Sequence, residues 1–142
     1  MAMSQAREVM DKLTDTMVEG ADVDSLLSLY AEDAVVTTPD QGELRGHTQV
    51  AEYWRTFVES FSDIGWEPIN KLEADDRAVD EGYFVGTNTG VVNAPTGETV
   101  PATGKRIKMR ECDVATVKDG KIVEHHLYFD EADFARQLGL ID

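Results

Sequence analysis

Lys105-Arg-Ile-Lys-Met-Arg-Glu-Cys-Asp-Val-Ala-Thr-Val117, the turn Lys118-Asp-Gly-Lys121 and Ile122-Val-Glu-His-His-Leu-Tyr-Phe-Asp130 follow one another, and their reading decides the fold. Both flanking runs are rich in apolar and β-branched residues. The Asp119-Gly120 between them tolerates positive φ, so the stretch predicts two long strands joined by a type I′ hairpin. Asp130-Glu-Ala-Asp133 then opens a short helix, Phe134 to Leu138, which Gly139 can end in a left-handed cap. Successive strand residues alternate sides, so His125 and His126 point to opposite faces, and only one can look into a pocket.

Upstream of this hairpin the pattern is helical. Ala6, Val9, Met10, Leu13 and Met17 recur at helical spacing before Gly20, which predicts a first helix. Asp22 or Asp24 can cap a second, carrying Leu26, Leu27, Leu29 and Tyr30. Ala34 to Thr38 reads as a short strand ended by the turn Pro39-Asp-Gln-Gly42. From Thr48 to Phe61, the residues Val50, Trp54, Phe57, Val58 and Phe61 form one stripe, the aromatic-rich face of a third helix. Trp66 to Leu72 and Ala78 to Val92 read as strands on either side of Asp75-Asp-Arg77, and residues 93–104 as a long connection. Helices followed by antiparallel strands predict an α+β fold: a cone-shaped barrel with three N-terminal helices on a curved, mostly antiparallel sheet, and a short C-terminal helix. The expectation is a single domain over residues 1–142 with a pocket between helices and sheet.

Charge narrows the partners. With 13 basic and 28 acidic residues the net charge is −15, which repels phosphate backbones and anionic membranes. No nucleic-acid partner and no membrane partner are expected. Met1 to Ser4 lead into the first amphipathic pattern without a basic start and apolar core, and no apolar run is long enough to span a bilayer. The single cysteine, Cys112, cannot form an internal disulfide, which agrees with a reducing compartment. A cytoplasmic location is the resulting expectation.

Particular residues in this order resemble the nuclear transport factor 2-like superfamily, and within it the SnoaL-like polyketide cyclase and ester cyclase group. They are Leu29-Tyr-Ala-Glu-Asp-Ala-Val35 with Pro39, Gly46 ahead of the third helix with Tyr53-Trp54, Gly86-Thr-Asn-Thr-Gly90, Pro95-Thr-Gly97, Asp119-Gly-Lys-Ile-Val-Glu-His125 and Gln137-Leu-Gly-Leu140. The resemblance covers nearly the whole chain and implies the fold more strongly than any chemistry, because one scaffold carries enzymes, binding modules and interaction domains. It also implies a homodimer through the outer face of the sheet, where Glu124, His126 and Tyr128 alternate.

Against the family's catalytic patterns the chain has lost acids. The ketosteroid isomerase branch places a general-base aspartate directly before the first-strand proline. Here Thr38 precedes Pro39, and a hydroxyl cannot act as that base near neutral pH. The epoxide hydrolase branch uses Arg-x-Asp on a middle strand, absent between Asp80 and Val92, and an aspartate where this chain has Leu127. SnoaL-like cyclases carry Glu-His-Trp-Asp with that same aspartate; Glu124-His125 are kept and the acid is gone. Asn88 replaces the histidine of the family's Gly-Thr-His-x-Gly.

The candidate site follows from strand parity. The face that carried the lost acid at 127 also carries Val123, His125 and Phe129, so His125 is expected in the pocket as general acid/base. A half-buried histidine satisfied by a neighbour is the alternative. Asp130 recurs in the family's Tyr-Phe-Asp and is a second catalytic candidate, although a helix N-cap accounts for it equally. Arg110 shares parity with Cys112 and Val114, an apolar pair that suggests the inner face, where it could hold an enolate oxygen. Asn88 could donate to a substrate carbonyl. Tyr30, Thr38 and Trp54 complete the expected substrate contacts, with Tyr30 and Trp54 visible from the cavity. Neither a metal nor a cofactor is expected: the adjacent histidines cannot both turn inward, and phosphate-loop, dinucleotide and nucleophile-elbow patterns are missing. The expected function is binding of a small hydrophobic carbonyl compound, with cofactor-independent enolisation, isomerisation or aldol cyclisation within reach. Two alternatives stand beside it: a non-catalytic binding module, and a dimeric interaction domain whose cavity is filled by Trp54 and Phe57.

Overall fold

A computed structural model of the chain describes residues 4–20, 22–93 and 97–141. Helix α1 spans Gln5–Val18; the Ser4 hydroxyl accepts from the Arg7 amide at 3.1 Å, and Gly20 follows at φ 76°. Its buried stripe is Ala6, Val9, Met10 and Leu13, the face read from the spacing. Arg7 on the same helix is buried, and its guanidinium pairs with Asp80 at 2.6 Å and with Asp11 at 2.8 Å, clamping α1 to the sheet. Helix α2, Val23–Leu27, is capped by Asp22, whose carboxylate accepts from the Ser25 amide at 2.8 Å.

The second helix is shorter than its sequence suggests. Tyr30 begins strand β1 (Tyr30–Thr38) rather than ending a helix, because the Leu29 carbonyl accepts from the Ile122 amide at 2.8 Å and Tyr30 pairs with Ile122 across the sheet. Long-range strand pairing overrides the local helical pattern there.

After β1 come β2 (Gly42–Arg45), α3 (Gly46–Ser60), β3 (Phe61–Ala74), β4 (Arg77–Asn88), β5 (Val92–Asn93), β6 (Thr99–Val100), β7 (Arg106–Lys118), β8 (Lys121–Phe129) and α4 (Glu131–Gln137). Six strands form one sheet in the order β2-β1-β8-β7-β4-β3, antiparallel except for the pair β1 and β8. The β7–β8 turn is as expected: Lys118 pairs with Lys121, and Asp119 and Gly120 have φ of 53° and 76°. The strand read as Ala78 to Val92 ends at Asn88, and the long connection folds back as the β5–β6 pair. Residues 94–96, including Pro95 and Thr96 of the Pro95-Thr-Gly97 match, lie outside the described residues.

Two features of the last hairpin differ from the strand-parity reading. On β7 the buried residues are Ile107, Met109, Ala115 and Val117, while Arg106, Lys108 and Arg110 are exposed. A register shift at Thr116 and Val117 then puts Ile122, not Val123, into the core ahead of His125. Two apolar clusters result. One joins α1, α2, β1 and β8 and includes Trp54 and Leu127; the other is built on Phe61, Phe84, Ile107 and Met109, and Phe57 packs against both. Among the described residues no helix is long and apolar enough to cross a membrane.

Candidate functional site

Where the two clusters meet they leave a cavity of about 190 Å³. Its wall is Trp54, Phe57, Phe61, Phe84, Met109 and Leu127, closed on one side by Phe134 and Ala135 of α4. Trp54 and Phe57 line this space instead of filling it. The polar groups are Asp40, Tyr53, Asn93, Glu111 and Glu131.

Glu111 connects the cavity to a buried chain of hydrogen bonds. Its carboxyl neighbours that of Asp113, two residues on and on the same face of β7, closely enough for the two to influence each other's protonation. Asp113 meets Nε2 of His125 at 3.0 Å, Nδ1 of His125 meets the Tyr30 hydroxyl at 2.9 Å, and Nε1 of Trp54 donates to that hydroxyl at 3.2 Å. An indole N–H can only donate. Trp54 therefore donates to Tyr30; the tautomer in which Tyr30 donates to Nδ1 of His125 leaves the Nε2–H of that ring to donate to Asp113.

Protonation follows from burial. The His125 side chain is 1% exposed, and desolvation pushes its pKa down to about 4, so the ring is neutral at pH 7. Desolvation raises Asp113 to about 7, against the Glu111 hydrogen bond, which lowers it. Glu111 is held well above the carboxylate range, first by desolvation and then by the neighbouring Asp113 charge. The two carboxyls compete for one proton, with Glu111 the more protonated partner. Tyr53, half-buried and near the charges of Asp40 and Glu111, keeps its proton well past the usual phenol range, first through desolvation.

The expected site residues separate accordingly. Trp54 reaches the cavity and Tyr30 does not; its hydroxyl stands behind the wall. His125 points inward as parity required, yet Leu127 and Phe129 line the cavity in its place, and both of its ring nitrogens are engaged. His125 thus stands behind the cavity wall, bonded to Asp113, and not at the surface a substrate would meet. Asp130 is the N-cap of α4, its carboxylate accepting from the Ala132 and Asp133 amides at 2.9 and 3.1 Å. Arg110 is corrected to the outer face, where it donates to the Tyr83 hydroxyl at 3.0 Å. Thr38 is buried, and its hydroxyl accepts from the Gln41 amide at 3.0 Å, closing the turn after β1.

Asn88 is likewise committed to structure. Its amide nitrogen donates to the Ser60 and Gly90 carbonyls, both at 3.0 Å, and its oxygen accepts from the Thr103 amide at 2.7 Å and hydroxyl at 2.9 Å. No donor remains for a substrate. Gly90 is required beside it, because a β-carbon there would stand 1.8 Å from the Glu59 carbonyl oxygen.

Glu111, Asp113, Asp40 and Tyr53 are the residues that sequence reasoning missed. The signal for the first two was available: Ile107, Met109, Ala115 and Val117 share odd parity, and extending it through 111 and 113 puts two carboxyls inside.

The profile of the SnoaL-like domain matches residues 11–125, so the chain belongs to that family. Solved structures with the same fold include a candidate SnoaL-like polyketide cyclase from Jannaschia sp. CCS1, 16% identical, with a TM-score of 0.83 over 100% of this chain and 99% of that one. IdmH, a candidate polyketide cyclase from Streptomyces antibioticus, is 23% identical, with a TM-score of 0.76 over 96% and 99% of the two chains. An NTF2-like protein of unknown function from Burkholderia pseudomallei K96243 is 20% identical, with a TM-score of 0.74 over 96% and 98%. At these identities it is the fold that is shared. No curated protein matches the chain at a significant level.

Proposed function

We propose that this protein is a cofactor-independent acid/base enzyme acting on a small hydrophobic carbonyl compound, of the cyclase or isomerase type its structural neighbours suggest. The observation that carries the reading is Glu111: a cavity-facing, half-buried carboxyl raised by desolvation and by the neighbouring Asp113. A carboxyl raised above its ordinary range in this way can give a proton to a carbonyl oxygen or take one from the adjacent carbon. Asp113, held by the His125 ring, stabilises the protonated form of Glu111 and accepts its hydrogen bond. The acids lost at positions 38 and 127 are thus replaced from β7. The apolar wall supports a one- or two-ring substrate, since a cavity of about 150 Å³ accommodates benzene.

The test is solvent-deuterium exchange at the α-carbon of 2-tetralone, followed by proton NMR. Wild type should exchange faster than buffer, and Glu111→Gln should lose that acceleration by about 10²-fold or more. Equal exchange by the two proteins would refute the assignment. His125→Gln should slow exchange less and shift its pH profile, since that ring acts through Asp113.

The assembly we propose is a single-domain homodimer formed through the outer sheet face, where His126 bonds Glu124 at 2.5 Å beside the exposed Tyr128. A monomer in sedimentation at micromolar concentration would contradict it. The single Cys112 supports a cytoplasmic setting.

A further inference from the structure

The cavity does not end at its aromatic wall. It opens into a wider vestibule, and the two share Asp40, Tyr53, Phe57, Phe61, Val92, Asn93 and Phe134, which form the neck between them. The acids along the whole path are Asp40, Glu52, Glu111 and Glu131, and among the described residues no Lys, Arg or His lines either space.

Two independent features meet at the neck. One is charge: Asp40 is half-buried there and accepts from the Tyr53 hydroxyl at 3.3 Å, and among the described residues no cationic side chain lines the path to neutralise it. The other is the aromatic lining, Tyr53, Phe57, Phe61 and Phe134, whose rings pack edge-to-face or tilted on their neighbours. Phe57 lies 5.7 Å from Phe61 and from Trp54, ring centre to ring centre, and Phe61 lies 5.9 Å from Phe134. Aromatic faces attract a cation within about 6 Å, most strongly where water is excluded. The cation that suits them is organic, because among the described residues no three His, Cys, Asp or Glu side chains gather as metal ligands.

We propose that the occupant of this cavity carries a protonated amine: a one- or two-ring apolar compound with its rings in the inner chamber and its ammonium at the neck, against Asp40 and the faces of Tyr53 and Phe57. The same acids reject carboxylates. A carboxylate entering this path would lose its hydration among like charges and meet no compensating donor with positive charge. The proposal rests on the reading that the cavity holds a small apolar molecule, and it is independent of proton transfer at Glu111.

Isothermal titration of the intact protein with 2-naphthylmethylamine, 2-naphthalenemethanol and 2-naphthoate tests it. These probes share one ring system and differ in charge. The amine should bind about tenfold or more tighter than the alcohol, and the carboxylate more weakly than either. Asp40→Asn, shown by its melting curve to be folded, should cut the preference for the amine to about threefold or less with the alcohol's affinity retained. Equal binding of amine and alcohol, binding of the carboxylate at the amine's affinity, or an undiminished preference in Asp40→Asn would overturn the ammonium site and leave the acid/base reading standing. Failure of all three probes to bind would overturn the small-molecule cavity and both readings with it.

Discussion

Glu111 and Asp113 bind a proton in the folded chain that the unfolded chain releases, and that difference has a sign. A carboxyl with a raised folded-state pKa contributes stability that is complete below the ordinary carboxylate range and is lost as the pH climbs through the folded value, about 7 for Asp113. Asp80, raised by its burial, acts in the same sense. His125, lowered to about 4, acts oppositely: its contribution is present above the ordinary imidazole range and is lost as pH falls through about 4. Above about pH 6.5 the histidine no longer counts, and only the acids remain. The melting temperature should therefore fall by roughly 2–4 °C or more between about pH 6.5 and pH 8. Glu111→Gln should flatten that fall, because the raised titration of the Glu111 carboxyl itself is then removed. Calorimetry across this range checks it, and a melting temperature that rises over the interval would contradict the raised carboxyls.

At the scale of elements, β7 brings the carboxyls to the cavity and α4 closes it. Asp130 belongs to this level, since it fixes where α4 starts and so where Phe134 and Ala135 stand. Asp130→Ala should cost about 1 kcal/mol in urea denaturation, and Asp130→Asn much less, because an amide oxygen still accepts the Ala132 and Asp133 amides. Deuterium exchange per folded molecule should survive in Asp130→Asn; its loss there would return Asp130 to the chemistry. The elements also show which signals travel locally. The Asp22 cap, the Asp119-Gly120 turn and the Asp130 and Gly139 boundaries of α4 were readable because each is set by a side chain or a φ angle within a few residues. The end of α2 was not readable, because β8 determines it from far along the chain, through the Ile122 amide.

For the whole molecule, the cavity is a place where packing was left incomplete between two apolar clusters, and unfilled volume costs stability. Ala135→Leu, which adds three carbons to the α4 side of the space, should raise stability by about 0.5–2 kcal/mol while abolishing binding of naphthalene probes. Thermal melts paired with titration check this; a destabilised variant that still binds would mean the space is not where the ligand goes. The amino-acid sequence by itself determined the order of the main helices and long strands, the capped ends, the last hairpin and its turn, and the inward direction of His125, since periodicity and turn chemistry are properties of neighbouring residues. The short strands β2, β5 and β6 and the start of β3 at Phe61 it did not give. Only the tertiary structure decided that Arg110 faces out and Glu111 in, that Asn88 ties loops together, and that Tyr30 backs the wall as Trp54 faces the space. Those outcomes depend on sheet register and on which polar group finds a partner once water is excluded. A pKa near neutrality arises in the same way, from burying two carboxyls side by side.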